Sequence, residues 1–401
     1  MDSGSGHRQT RRLDADDGGI AAAAAILRAG GLVAFPTETV YGLGANALDA
    51  DAVRGIFEAK RRPADDPLIV HLAALDRIER VAVSNAVSGR LGQQFWPGPL
   101  TLVLRKRPNV PSEVTAGLDT VAVRVPGHAV ALALLRAAGV PLAAPSANLF
   151  GRPSPTRAAH VLDDLDGRID AVLEGGPTTL GVESTIVDVS RTPARLLRPG
   201  GLAAEEIEAA LAALGERLVR TAQSPASPGP QAAPGLMPVH YSPRTPLTLV
   251  VGAPAAARAR LHREVEAAVD AGRKVGVLAV EEDRRIYQRL GGGQTSGRAD
   301  PVSKLRAQEV EVPGRVEVPG RGEVPGRGEV PSRVEVPSRV EVVGAWSDPA
   351  SSAARLFDAI RALDAANLDV LFARQLADPT VGLGQALADR LRRAAKRIIE
   401  V

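Results

Sequence analysis

From residue 18 onward, short apolar runs rich in β-branched residues alternate with Ala- and Leu-rich stretches of helical spacing. That alternation makes α/β the natural fold class, with a mixed or largely parallel sheet. Strands are predicted at 32–35, 68–72, 100–105, 121–125, 171–173, 185–189 and 195–197, with a buried stretch at 141–144. Helices are predicted over 21–29, 50–60, 129–138 and 203–214, the first capped by Asp16 or Asp17.

The pattern breaks at 221–246, where seven prolines (225, 228, 230, 234, 238, 243 and 246) sit among Ser, Gly and Ala. This is linker composition. A second α/β unit follows, with strands predicted at 247–251, 274–280 and 368–372 and helices at 255–271, 350–366 and 383–399. At 401 residues the chain suits two domains. The expected division is a flexible tail at 1–17, a first domain at 18–216, a Pro-rich linker at 217–246 and a smaller second domain at 247–401. An insertion at about 282–343 interrupts the last of these. Within it the unit V-P-[GS]-R-x-E occurs in five copies from Val312, one every six residues. Pro removes a backbone donor from each copy, and Arg alternates with Glu, so a disordered or polyproline-like surface insertion without catalytic role is expected.

Composition removes several classes of function. There is no Cys, which excludes disulfide scaffolds, Cys-ligated zinc, iron–sulfur clusters and thiol nucleophiles. The 49 Lys and Arg nearly balance the 46 Asp and Glu, so the net charge of +3 does not by itself point to nucleic acid. No signal peptide follows the N-terminal residues, and no run approaches the roughly 20 apolar residues of a membrane span. A soluble cytoplasmic protein is expected.

Polar residues gather where predicted strands end. In FPTETVYGLGANAL (35–48), Thr37 and Thr39 offer hydroxyls, and Gly42 and Gly44 allow backbone N–H groups to face a ligand. A tight strand-to-loop turn explains the same residues. AKRRPADDPLIVH (59–71) holds Lys60, Arg61 and Arg62 beside Pro63, suited to phosphate oxygens or simply to a solvated helix end. No Walker A loop occurs. His71 closes an apolar strand, where a histidine is often a satisfied core residue. Thr120 and Arg124 fall on one face of their strand. Ser146, Asn148 and Ser154 flank Pro145 and Pro153, Ser184 and Thr185 open a strand, and Arg198 ends one. Each cluster alone reads as a turn. Their shared position at strand ends is that of an α/β ligand site.

FPTETVYGLG, K-x-R-P with PLIVH, PSAN, GVESTIVD and RPG, in this order and spacing, resemble the YrdC-like domain. MPVHYSPRTP followed by a small α/β domain resembles the two-domain type of threonylcarbamoyl-AMP synthase. The resemblance runs from about residue 18 to 401, apart from the repeat. It implies a YrdC-like twisted mixed sheet with helices and a smaller Rossmann-like C-terminal α/β domain. The implied reaction joins L-threonine, bicarbonate and ATP into threonylcarbamoyl-AMP and pyrophosphate. Downstream transfer proteins then carry the group to the tRNA adenosine next to the anticodon, so any contact with tRNA itself is indirect. Thr39, His71, Arg124, Ala144 and Ser184 would surround threonine, Arg124 pairing with its carboxylate. Arg62, Asp66, Thr120, Ser146, Ser154, Arg198 and Tyr241 would contact ATP, with Lys60 and Asn148 near the phosphates and Lys60 and Arg62 in catalytic positions. Tyr241 would make 235–246 a lid over the site. Mg2+ would accompany ATP, with no protein ligands indicated. Asp66 departs from the Asn usual in the family, and an acid there repels phosphates unless Arg61, Arg62 or the metal compensates.

Two other readings compete with this one. An RNA-binding YrdC-like module is disfavoured by scarce aromatics, only 3% of the chain, which leave no base-stacking platform evident. A carbamoyl-transfer enzyme using carbamoyl phosphate would suit the same cationic pocket. Such enzymes usually add Cys-rich zinc and acylphosphatase modules, and this chain has no Cys.

Overall fold

A computed structural model describes residues 9–220, 231, 233–235, 237, 240–288 and 339–401. Two sheets organise them. The larger has eleven strands, in the spatial order Arg11–Asp14, Ala171–Glu174, Val33–Phe35, Gly42–Asn46, Leu142–Ala143, Ile69–His71, Thr120–Arg124, Leu100–Arg105, Thr185–Asp188, Ala194–Arg198 and Leu218–Arg220. Parallel and antiparallel pairs alternate irregularly along it. The smaller sheet has five parallel strands, ordered Arg339–Val342, Val275–Ala279, Val370–Arg374, Leu247–Val251 and Arg397–Glu400. Its three central strands are buried along their whole length, as continuous apolar runs covered on both faces must be.

Local chemistry sets the helix ends that matter for function. Asp16 caps Asp17–Arg28 by accepting from Gly19 N. Asp49 accepts from Asp51 N and Ala52 N at the start of Ala50–Lys60, whose buried stripe of Val53, Ile56 and Phe57 faces the sheet core. Arg61 ends that helix in the left-handed conformation, φ 52°, which turns Lys60 and Arg62 inward.

Several expectations are corrected. Residues 9–17 are not tail: Arg11–Asp14 pairs in parallel with Ala171–Glu174, and Arg12 meets Glu174 at 2.6 Å. A charged edge strand held by main-chain bonds carries no apolar signature. Gly42–Asn46 is a strand, not a loop, and Gly44 is there for packing, since a Cβ would lie 2.8 Å from the Phe35 ring. Leu218–Arg220 joins the large sheet rather than the linker. The final helix stops at Ala394, and Arg397–Glu400 pairs with Leu247–Val251. The insertion is narrower than 282–343, because Arg284–Gln288 is helical and Arg339–Val342 is an edge strand. Helices Ala86–Phe95 and Ala158–Leu165 were not anticipated. The expectations for residues 1–8, 221–230 and most of the hexapeptide repeat lie outside the described residues.

The domains share an interior. Val40, Val182 and Tyr241 belong to the same apolar cluster as Leu356, Phe357 and Leu387 of the second domain. Gly181, at φ +70°, lies so close to the helix Pro349–Asp364 that a Cβ would sit 2.3 Å from Ala353 O. Buried ion pairs cross the same boundary, Arg361 to Asp164 at 2.7 Å and Arg390 to Glu183 at 2.7 Å.

Candidate active site

The cleft at this boundary collects side chains from strand ends far apart in sequence. Thr37, Thr39 and Gly42 come from the first motif, Arg62 from the loop after the helix Ala50–Lys60, and His71 and Arg124 from the middle of the sheet. Ala144 to Ser146, Glu183, Ser184, Arg198 and the linker residues Pro234, Gly235, His240 and Tyr241 complete the lining.

One end of the cleft is built around Arg124, which is nearly fully buried. Its Nη1 donates to Thr39 Oγ1 at 3.0 Å, Nε to Gly98 O at 3.2 Å, and Nη2 lies 2.7 Å from Glu38 Oε1. Thr37 donates to Val40 O at 2.6 Å, so the 2.8 Å contact between the two threonine hydroxyls has Thr39 as donor. Next to this network, burial and the charge of Arg124 push His71 down to about 3. The ring is therefore neutral near pH 7, and the 3.3 Å contact with Ile69 O places its proton on Nδ1. Nε2 is left as an acceptor. Ala144 is fixed by its N–H on Ile69 O at 2.9 Å.

The other end is cationic. Arg62 donates to Asp66 O at 3.1 Å and Pro67 O at 2.8 Å and pairs with the Asp66 carboxylate at 2.9 Å. Burial raises the Asp66 carboxyl, and the nearby Arg62 opposes this without outweighing it. Arg198 is held by Ser184 O at 3.0 Å and Pro234 O at 2.9 Å, and Ser184 Oγ is 2.8 Å from Thr101 Oγ1. Tyr241 is buried at φ 62°, its ring 4.1 Å from that of His240 and 5.4 Å from that of Phe357. Burial lifts the Tyr241 hydroxyl to about 12 and lowers His240 to about 3. Both are neutral at pH 7.

Of the residues expected around threonine, Thr39, His71, Arg124, Ala144 and Ser184 all line the cleft. Of those expected at ATP, Arg62, Ser146, Arg198 and Tyr241 line it, whereas Lys60, Asp66, Thr120, Asn148 and Ser154 stand outside the lining. Lys60 is buried behind the PSAN segment, its Nζ donating to Ser146 O at 2.6 Å and Asn148 O at 2.5 Å. Burial, then the nearby Arg62, holds its pKa well below the ordinary value. Asn148 Nδ2 donates to Leu149 O at 2.7 Å and Arg152 O at 3.0 Å, and Ser154 donates to Glu183 Oε1 at 2.5 Å. These groups shape the loops that carry the lining. Thr120 sits half-buried opposite Arg105. Glu38, Glu183 and His240 are functional-site residues that the sequence does not single out, although each lies within one of the motifs, and Thr37, noted there for its hydroxyl, joins them in the site.

Similarity to known proteins agrees with this geometry. A family model described as Telomere recombination, of the Sua5, YciO and YrdC proteins, matches residues 25–200. A second, described as Threonylcarbamoyl-AMP synthase, C-terminal domain, matches residues 202–396. The threonylcarbamoyl-AMP synthase of Bacillus subtilis strain 168 is 40% identical over 390 residues, 96% of this chain and 95% of that protein. That of Pyrococcus abyssi is 40% identical over 381 residues, covering 94% and 95%. The crystal structure of Pyrococcus abyssi Sua5 complexed with L-threonine superposes with a TM-score of 0.77 at 38% identity, covering 98% of this chain and 99% of that one. With both domains matched in order and a cleft between them, the chain belongs to the two-domain threonylcarbamoyl-AMP synthase family.

Proposed function

We propose that this chain is a nucleotidyltransferase, an L-threonylcarbamoyladenylate synthase, which forms threonylcarbamoyl-AMP and pyrophosphate from L-threonine, bicarbonate and ATP. The observation that supports it most is the division of the cleft. Arg124 with two neutral acceptors, Thr39 and His71, forms one end, and Arg62 and Arg198 beside Ser146 and Tyr241 form the other. The first suits an amino acid with a carboxylate and a hydroxyl, the second a polyphosphate.

The threonine carboxylate takes the Arg124 guanidinium edge that Glu38 now occupies, and Thr39 and neutral His71 orient the amine and hydroxyl. The amine combines with bicarbonate to give a carbamate and water. A carbamate oxygen then attacks the α-phosphorus of ATP, the bond to the β-phosphate oxygen breaks, and pyrophosphate leaves with the electron pair. No side chain needs to become covalently attached. The work of the protein is to hold two ligands in line and to neutralise charge that builds on the phosphates, for which Arg198 is placed, with the Arg62–Asp66 pair beside it. Magnesium would enter with the nucleotide as part of the substrate. On this reading the product passes to proteins that transfer the threonylcarbamoyl group to tRNA, and a cytoplasmic location goes with the proposal. Among the described residues, no helix is long and apolar enough to cross a membrane.

The test is pyrophosphate release by the full chain with threonine, bicarbonate and magnesium-ATP omitted in turn. Release that needs all three is expected. Release independent of threonine, or none while ATP still binds, would overturn the reading and favour carbamoyl transfer.

A further inference from the structure

The helix Gly382–Ala394 belongs to the second domain, yet its Arg390 is fully buried against the cleft of the first. Arg390 Nε donates to Glu183 Oε2 at 2.7 Å and Nη1 to Asp389 Oδ2 at 2.5 Å, Asp389 being held also by Arg393 at 2.9 Å, and the guanidinium carbon stands 5.3 Å from the Tyr241 ring centroid. Glu183 lines the cleft, and its other oxygen accepts from Ser154. Burial by itself would raise the Glu183 carboxyl. The charges of Arg390 and Arg198 and the bonds from Ser154 and Arg390 outweigh burial and hold it below the usual carboxylate range. The same helix ties down the linker: Arg393 donates to Met237 O, and Arg393 O accepts from His240 N at 3.2 Å.

We propose that Arg390 is a positioning residue for the nucleotide, through which the second domain completes the phosphate end of the active site. A triphosphate entering this cleft meets an ionised Glu183, and two like charges in a poorly solvated cleft repel strongly. Arg390 cancels that carboxylate from behind and leaves Arg198, held by carbonyls, to the phosphates. Its face on Tyr241 holds the linker over the cleft in the same stroke. The sequence gives no hint of this pairing, because Glu183 and Arg390 are 207 positions apart.

The inference rests on the nucleotide reading above, so wild-type pyrophosphate release is measured alongside; if that fails, it is the functional reading that falls. With an active wild type, Arg390→Met is expected to raise KM for ATP at least tenfold while KM for threonine stays within threefold. Arg390→Lys, which keeps the charge, should remain within threefold on both. Adding Glu183→Gln to Arg390→Met removes the uncompensated carboxylate and should return KM for ATP to within threefold of wild type. A purely structural Arg390 would show no such rescue. The proposal is overturned by an unchanged KM for ATP in Arg390→Met or by a double variant no better than the single. If Arg390→Met proves unfolded in a thermal melt, the double variant must fold and turn over ATP, and its failure to do so counts against the proposal equally.

Discussion

Arg374 and Arg198 both stand at the last position of a sheet strand, one in each domain, and the two are treated differently. In the second domain Arg374 meets Asp283 at 2.6 Å, Arg258 takes the other oxygen of the same carboxylate at 2.7 Å, and the Trp346 ring covers the Arg374 guanidinium at 4.9 Å. In the first domain Arg198 is held by the carbonyls of Ser184 and Pro234. Carbonyls orient a guanidinium without cancelling its charge, whereas a carboxylate cancels it. The first arrangement locks a strand end; the second leaves a fixed cation facing a cleft. A buried arginine is therefore not diagnostic of a site until its partners are known.

Four substitutions sharpen the contrast. Arg374→Ala removes one of the two cations facing Asp283 and should cost about 3–5 kcal/mol of stability, as broken buried pairs do. Chemical denaturation would register it, and activity per folded molecule should stay close to wild type. Arg198→Ala should do the reverse. It should leave the melt within a few degrees while lowering kcat/KM for ATP by about 100-fold, roughly 3 kcal/mol of transition-state binding. Equal effects of the two variants on both measurements would erase the distinction.

A smaller effect separates the cleft histidines from surface ones. Native His71 resists protonation down to about 3, whereas in the unfolded chain it titrates near 6.5. Between those values the unfolded state binds the extra proton, so stability must fall as pH drops through that window, by up to about 1.4 kcal/mol per pH unit. Above 6.5 neither state holds the proton and the dependence ends. His71→Gln should flatten the slope of denaturation free energy against pH; an unaltered slope would mean the imidazole charges freely in the fold. Least of all should come from Asp358→Asn. It breaks the exposed interdomain pair with Arg157 at 2.9 Å, and a change within about 0.5 kcal/mol is expected in the same denaturation experiment. A loss of several kcal/mol would show that surface pairs, rather than the shared apolar cluster and Arg361 and Arg390, hold the domains together.

Elements whose side chains announce their period were legible in the sequence. The helices Ala50–Lys60 and Ala129–Ala138 and the strands Leu100–Arg105 and Leu247–Val251 have the predicted bounds, because their apolar residues recur at 3.6 or fill a short β-branched run. Arg11–Asp14, Gly42–Asn46 and Arg397–Glu400 gave a weak or contrary signal. They are strands by virtue of main-chain pairing: Arg11–Asp14 with Ala171–Glu174, Gly42–Asn46 with Leu142–Ala143 as well as nearby Val33–Phe35, and Arg397–Glu400 with Leu247–Val251, pairings that no local side-chain pattern encodes. The site divides the same way. The residue types fit for anion and amino-acid binding stood out as Thr, His, Arg and Ser at strand ends, since polar groups beside apolar runs are conspicuous wherever they fall. Which of them face the cleft was settled in three dimensions: Lys60 turned to the carbonyls of Ser146 and Asn148, Ser154 to Glu183, and Arg390 crossed from the other domain. The sequence by itself determined the two α/β units, the linker between them and the chemistry available at the strand ends. Tertiary structure alone decided which charges are cancelled and which are left for a ligand, because that depends on distances of about 3 Å between residues as much as 207 positions apart.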